Sequence, residues 1–442
     1  MRREPPTRPR EHASWTSPPT ADALLELFPP GTTIDPDGTL VVGGCRLDAL
    51  AERFGTPLYV YDEGALRARA RELRDEFARV WPKSRVAFAS KSFPAKAAYR
   101  LVADEGLKVD VAGGGELVLA LAAGVSPHDL VLHGNAKTDA ELELAVRSGI
   151  GTVVVDNGDD VDRLERLLAD APADRERQRV LVRVVPGIDA DTHAAMATGG
   201  DSSKFGLPLD QTQAMFDRIR ASDRLHLDGV HVHVGSQILD VDTLARAVEV
   251  VAGLGTFEVY DLGGGLGARY VIPEQAPSIA DYADALGAAC RRFLPPDAAI
   301  VVEPGRSLVA RSGITVYRVV TVKRGTDRTF VAVDGGMGDN LEVSLYEQRF
   351  EATVADRVGG GEQYDLVGRH CESGDRLIEG AWLDAPAVGD LVVLPVTGAY
   401  CYTMGNNYNG ALRPPVVFCT DGAAREVVRR ETYEDLLSRQ IG

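Results

Sequence analysis

Eight times between Val86 and Gly305 a short apolar run rich in β-branched residues is followed by a helical stretch. The runs are VAFAS (86–90), LKVDVA (107–112), LVLHG (130–134), TVVVD (152–156), RVLVRVV (179–185), LDGVHVHV (227–234), FEVYDLG (257–263) and AAIVVEPG (298–305). None alternates cleanly, which is the pattern of strands buried on both faces. Eight such strands interleaved with helices specify an α/β chain, a (β/α)8 barrel.

The pattern changes after Ser307. GITVYRVVTVKR, RTFVAVD, GDLVVLPV, RPPVVFC and EVVRR alternate more and are separated by turn residues. This predicts a mostly antiparallel β domain. GTLVVGG (38–44) and TPLYVYD (56–62) precede the barrel and are expected to join it, so that the β domain is built from both chain ends. A short helix over 21–29, a long amphipathic helix over 63–80 with a solvated Arg/Glu face, and a terminal helix in TYEDLLSR complete the reading. The expected division is a disordered leader (1–20), an N-terminal segment (21–62), the barrel (63–310) and the C-terminal β domain (311–442).

Composition narrows the function. A net charge of −17 argues against a nucleic-acid or anionic-membrane binder. It leaves room for a local positive pocket around an anionic cofactor. The five cysteines are scattered and form no C-x-x-C pair, which points to reduced thiols rather than a disulfide framework or zinc site. No apolar run approaches the ~18 residues of a membrane span. The first residues lack the apolar stretch of a signal peptide, so a cytoplasmic protein is expected.

The residues that carry chemistry sit at strand ends, where barrel active sites are built. Lys91 closes the first strand. A lysine there either snorkels to the rim or, with a lowered pKa, forms a Schiff base. His231 and His233 share one side of a strand. They read as metal ligands of a barrel hydrolase, as an imidazole stacked on a flat cofactor with Gly235 and Ser236 at a phosphate, or as satisfied core histidines. The core reading suits His231 and the stacking reading His233. LGGGLG (262–267) fails as a dinucleotide fingerprint but suits a phosphate at the end of the seventh strand. EPGRS (303–307) offers either a structural ion pair or Glu303 for a protonated pyridine nitrogen and Arg306 for a phosphate or carboxylate. Cys371 in HCESGD is a proton donor or a buried thiol, and TGAY presents Tyr400 in a similar loop.

Taken in order, FASKS, VDVAGGGEL, HGNAK, ATGGDSSKFG, HVHVGSQI, LGGGLG, EPGRS, DGGMGDN, RHCESGD and GAYCYTMGNNYNG resemble the motifs of diaminopimelate decarboxylases. These belong to the alanine-racemase-like, fold-type III pyridoxal-phosphate (PLP) enzymes. The resemblance runs from about Phe54 to the C-terminus. It implies a PLP-dependent decarboxylase that converts meso-diaminopimelate to L-lysine and CO2, with PLP held by Lys91. It places His233 on the ring, and Asp110 among the cofactor-binding residues. Ser236, Gly264, Gly265, Tyr400 and Arg306 would hold the phosphate, and Glu303 the ring nitrogen. Cys371 would be the proton donor, reaching the site with Glu372 from the partner subunit of a homodimer. Alanine racemases carry an arginine where Glu303 stands, so Glu303 favours decarboxylation.

One stretch departs from the family. Its members read D-N-P-R-P-A-L-Y where this chain has Asp339-Asn340-Leu341-Glu342-Val343-Ser344-Leu345-Tyr346. Glu342 thus replaces the arginine expected on the substrate's far carboxylate, while Tyr346 is kept. Glu342, Tyr346, Arg306 and Glu372 are the expected substrate contacts. The departure opens a second reading, in which the substrate is another amino acid such as D-lysine, D-ornithine or a specialised-metabolite precursor.

Overall fold

The computed structural model describes residues 17–172, 174–188, 199–200 and 203–442. The leader up to residue 16, and part of ATGGDSSKFG, lie outside the described residues.

All eight apolar runs are strands, and they close into one parallel barrel. They are β1 (Ser84–Ala89), β2 (Lys108–Val111), β3 (Leu130–Leu132), β4 (Thr152–Val155), β5 (Gln178–Val184), β6 (Leu225–Val232), β7 (Val259–Asp261) and β8 (Ala299–Val302). Closure is made by β8 on β1, with Val302 opposite Val86. Next to it, β1 on β2 sets Ala89 opposite Asp110.

The helix Glu63–Val80 shows how sequence sets the outer layer. Leu66, Ala70, Leu73, Phe77 and Val80 recur at three- and four-residue spacing and are buried. Each of the larger ones contributes roughly 1.5–3 kcal/mol by leaving water. Asp62 starts the helix by accepting a hydrogen bond from Ala65 N at 2.8 Å. Trp81 ends it, and its Nε1 donates to Ala298 O beside β8. The polar face is not simply solvated as expected. Arg67 and Arg71 pair with the buried Glu105 at 2.9 and 2.6 Å, which ties this helix to the one before β2.

The second sheet runs Arg376–Leu383, Glu362–Val367, Thr329–Val333, Gly313–Arg324, Leu58–Asp62, Val416–Thr420, Ala423–Val428, with Leu391–Leu394 also against Gly313–Arg324. Leu58–Asp62 lies at its centre, antiparallel to Gly313–Arg324 and parallel to Val416–Thr420. Thr329–Val333 and Glu362–Val367 are also parallel, and the other pairs are antiparallel. GTLVVGG does not join this sheet. Leu40–Val42 pairs with Thr33–Ile34 and Cys45–Arg46 in a small sheet of its own. The cause is Gly43-Gly44, both at positive φ (57° and 78°), which turn the chain back in a two-residue hairpin. Glu362–Val367 and Arg376–Leu383 were not anticipated. Their burial is broken, as in strands half open to solvent, and their apolar signal is correspondingly weak.

The two layers meet at the end of β1. Tyr400 N donates to Ser92 O at 2.8 Å. Tyr61 stacks on Phe93 with centroids 4.2 Å apart, and its hydroxyl donates to Gly398 O at 2.7 Å.

Candidate active site

Lys91 lies in a single 3-10 turn, Ser90–Ser92, directly after β1. It opens into a pocket at the C-terminal end of the barrel strands. Asp110, His233, Ser236, Gly265, Glu303, Arg306 and Tyr400 line the same pocket. The lysine is not sealed within the core. Its side chain is exposed inside the pocket. Nor is its pKa lowered: packing pulls it down, but Tyr400, Asp110 and Glu303 outweigh that and raise it.

One wall is the glycine loop after β7. A Cβ at Gly264 would stand 2.1 Å from Glu303 O, and one at Gly265, where φ is +117°, would stand 2.7 Å from Gly235 O. Only bare backbone fits. Gly264 N donates to His233 Nδ1 at 3.2 Å. Burial, with Lys91 and Arg183 nearby, holds the His233 imidazole well below its ordinary pKa. It is therefore neutral at pH 7 and accepts that bond.

Arg306 opens a short helix, Arg306–Val309, three residues after Glu303. Its Nε faces Ser236 Oγ at 3.4 Å, and its guanidinium lies 4.6 Å from the Tyr400 ring centroid. A nitrogen of the same guanidinium donates to Tyr270 Oη. It also pairs with Glu342 at 2.8 Å, both side chains being buried. Burial lifts the Glu342 carboxyl above its ordinary value despite Arg306.

Glu303 is enclosed. His133 Nε2 lies 2.8 Å from its Oε1 and His231 Nε2 lies 3.2 Å from its Oε2. Asp110 is 3.8 Å from His133, and Asp261 and Arg183 are buried alongside. Burial alone would raise the Glu303 carboxyl, but His133 and His231 hold it well below the ordinary range. His231 is buried, with Nε2 on Glu303 and, among the described residues, no hydrogen-bond partner for its Nδ1. It does not converge with His233 on a common point, as the hydrolase reading required. His133, Arg183, Asp261 and Tyr270 were overlooked at the sequence level. For His133, Arg183 and Asp261 the signal was available: an ionisable residue in or ending an apolar barrel strand needs a partner.

Five expected site residues do not line the Lys91 pocket, and Gly264, beside Gly265 in the glycine loop, is one of them. Glu342 reaches it only through Arg306. Tyr346, four residues on in the same short helix, is half-buried. Cys371 and Glu372 are exposed, in the loop after Glu362–Val367. Asn409 Oδ1 accepts from Cys371 N at 2.7 Å, and Asp375 accepts from His370 N and Met337 N, each at 2.7 Å.

The pocket suits pyridoxal phosphate. Bare glycine backbone, Ser236 and a buried guanidinium offer donors to a phosphate, a primary amine stands in the cavity, and a buried anion faces it. The comparisons agree. Residues 63–310 match the family model of the pyridoxal binding domain of pyridoxal-dependent decarboxylases. The chain is a PLP-dependent amino-acid decarboxylase, a carboxy-lyase, and the hydrolase reading falls. A diaminopimelate decarboxylase of Actinosynnema pretiosum subsp. auranticum is 44% identical over 436 residues, 96% of this chain and 97% of that one. One of Mycobacterium tuberculosis is 39% identical over 94% of this chain and 98% of its own. Among solved structures, the diaminopimelate decarboxylase of M. jannaschii in co-complex with L-lysine superposes with a TM-score of 0.85 at 30% identity, covering 94% of this chain and 98% of that one. This chain belongs to the diaminopimelate decarboxylase family. Among the described residues, no helix is long and apolar enough to cross a membrane.

Proposed function

We propose that the protein removes CO2 from meso-diaminopimelate to give L-lysine, as a cytoplasmic homodimer with shared active sites. The observation that carries this reading is the Lys91 pocket within a chain alike, along almost its whole length, to diaminopimelate decarboxylases. When bound, PLP supplies a carbonyl that condenses with amines and a ring that accepts the electron pair CO2 leaves behind. Lys91 provides the amine that holds it. His233, neutral and fixed by Gly264 N–H, presents its ring to the cofactor. Ser236, Gly264, Gly265 and Tyr400, with Arg306, receive the phosphate. Glu303 keeps the ring nitrogen protonated, and Asp110 balances the positive charge beside it. Cys371 gives a proton to Cα after CO2 departs, assisted by Glu372. Their exposure, away from the pocket of their own chain, supports supply from a partner subunit.

A second substrate reading rests on the Arg306–Glu342 pair. The guanidinium on the pocket wall is already matched by a buried carboxylate at 2.8 Å. A substrate whose far end is an ammonium, such as D-lysine or D-ornithine, suits that wall better than one ending in a further carboxylate. CO2 release measured across meso-diaminopimelate, D-lysine and D-ornithine decides between them. A kcat/KM that favours meso-diaminopimelate by a wide margin sinks the second reading. Absence of turnover with all three sinks both.

A further inference from the structure

We propose that His133 and His231 are positioning residues that clamp Glu303 as an anion for the cofactor's ring nitrogen. The proposal rests on the placement of Glu303 given above and concerns how the barrel keeps that residue charged.

A carboxyl inside a barrel tends to hold its proton, because ionisation in a dry site is costly. Glu303 is 5% exposed, and Asp261, 1% exposed, lies close by with no hydrogen-bond partner for its Oδ2. Burial pushes Glu303 toward the neutral acid. A neutral Glu303 has no charge with which to stabilise a pyridinium, so the ring becomes a poorer electron acceptor. Something must oppose that tendency, and the structure places one imidazole nitrogen against each Glu303 oxygen.

The two imidazoles act differently. Burial drives His231 down to about 4, so it is neutral near pH 7 and gives Glu303 Oε2 a hydrogen bond. For His133, burial lowers the pKa, but Asp110 and Glu303 together raise it on balance. His133 Nε2 stands 2.8 Å from Oε1, and its raised pKa favours the protonated ring as the countercharge. The rings meet edge to face, with centroids 4.9 Å apart, so each restrains the other. The titratable groups around them come from every side. They are Lys91 after β1, Asp110 on β2, Arg183 on β5, His233 after β6 and Asp261 on β7. Lys91 and Arg183 are cations that also favour an anionic Glu303, while burial and Glu303 raise the Asp110 and Asp261 carboxyls. Each Glu303 carboxylate oxygen has one of these imidazole nitrogens within 3.2 Å.

The test follows the ring nitrogen itself. PLP labelled with nitrogen-15 in the ring is bound to wild type, His133→Asn, His231→Asn and Glu303→Gln, and its resonance is recorded from neutral to alkaline pH. Wild type is expected to show a pyridinium signal. His133→Asn is expected to lower the ring-nitrogen pKa by about one unit or more, a tenfold change in the protonated ratio. His231→Asn loses only a hydrogen bond and moves it less. Glu303→Gln leaves a neutral ring. If both histidine variants keep the wild-type signal while Glu303→Gln loses it, the histidines are structural and the proposal fails, although Glu303 keeps its place. If Glu303→Gln also keeps the pyridinium signal, the placement of Glu303 fails and the proposal with it. Should the asparagine variants not fold, infrared difference spectra between cofactor-free wild type and Glu303→Gln decide. A protonated-carboxyl stretch from Glu303 overturns the clamp, and a carboxylate stretch supports it.

Discussion

Replacing Glu342 with glutamine keeps the shape of the side chain and removes its charge. In the wild type the Arg306–Glu342 contact is 2.8 Å, with side chains 4% and 0% exposed. At an effective dielectric of 20 that contact is about 6 kcal/mol before desolvation. Breaking one partner of a buried pair typically costs about 3–5 kcal/mol, because the remaining ion stays in a dry site. Glu342→Gln should therefore lower the urea midpoint clearly. Part of that loss is recoverable, since a carboxylate on the substrate can take over the vacated partnership. If only ~1.4 kcal/mol is recovered, the ratio of kcat/KM for meso-diaminopimelate over D-lysine rises about tenfold. The assay is CO2 release with each substrate alone. Protonation supplies an internal control. Because burial raises the Glu342 carboxyl, acidification should shift wild type toward the glutamine variant's selectivity, while the variant itself stays flat. A fall in stability with no change in the substrate ratio refutes the reasoning. Arg306 would then be a structural ion that never meets the substrate's far end.

Borohydride reduction of the holoenzyme followed by peptide mapping should label Lys91, and a label on any other lysine removes the assignment. Cys371→Ala should slow turnover while leaving the cofactor spectrum intact. An equal mixture of Lys91→Ala and Cys371→Ala subunits should recover about a quarter of wild-type activity, since half the dimers carry one whole site; no recovery in verified heterodimers ends the shared-site reading. Lys137 and Asp160 form a buried pair at 2.7 Å, so Lys137→Met should cost about 3–5 kcal/mol in urea unfolding, and Lys137→Met with Asp160→Leu clearly less than the two single losses combined. Burial lifts the Asp339 carboxyl from its ordinary 3.8 to about 7. The folded chain then holds a proton that the unfolded chain has released, so this residue's contribution to stability falls as pH rises from about 4 to about 7. Asp339→Asn should therefore gain on wild type across that window in thermal melts, and a constant difference would show that Asp339 does not titrate there.

The barrel announced itself because its strands have no solvent face. A run such as TVVVD or RVLVRVV needs no periodicity to be recognised, only its length and β-branching. The half-exposed strands Glu362–Val367 and Arg376–Leu383 carry a diluted signal and escaped notice. The pocket residues were legible for a related reason: Lys91, His233, the glycine loop and Glu303 all follow a strand end directly. Pairings across the chain were not legible. Arg306 and Glu342 are 36 residues apart and meet only through the packing of a short helix against the barrel mouth. The sequence shows a glutamate where the family resemblance leads one to expect arginine, but not that an existing arginine absorbs its charge. Likewise His133, Asp261 and Glu303 end three different strands, and only closure of the barrel brings them together. The anomalies inside those apolar runs still held information. A barrel interior tolerates Asp110, His133, Arg183, His231, Asp261 and Glu303 only if their charges are matched to one another. A close-packed interior of aliphatic side chains would supply the same closure without the desolvation cost. So many ionisable groups gathered about Glu303, which lines the Lys91 pocket, fit the proposal that they set the charge of that carboxylate.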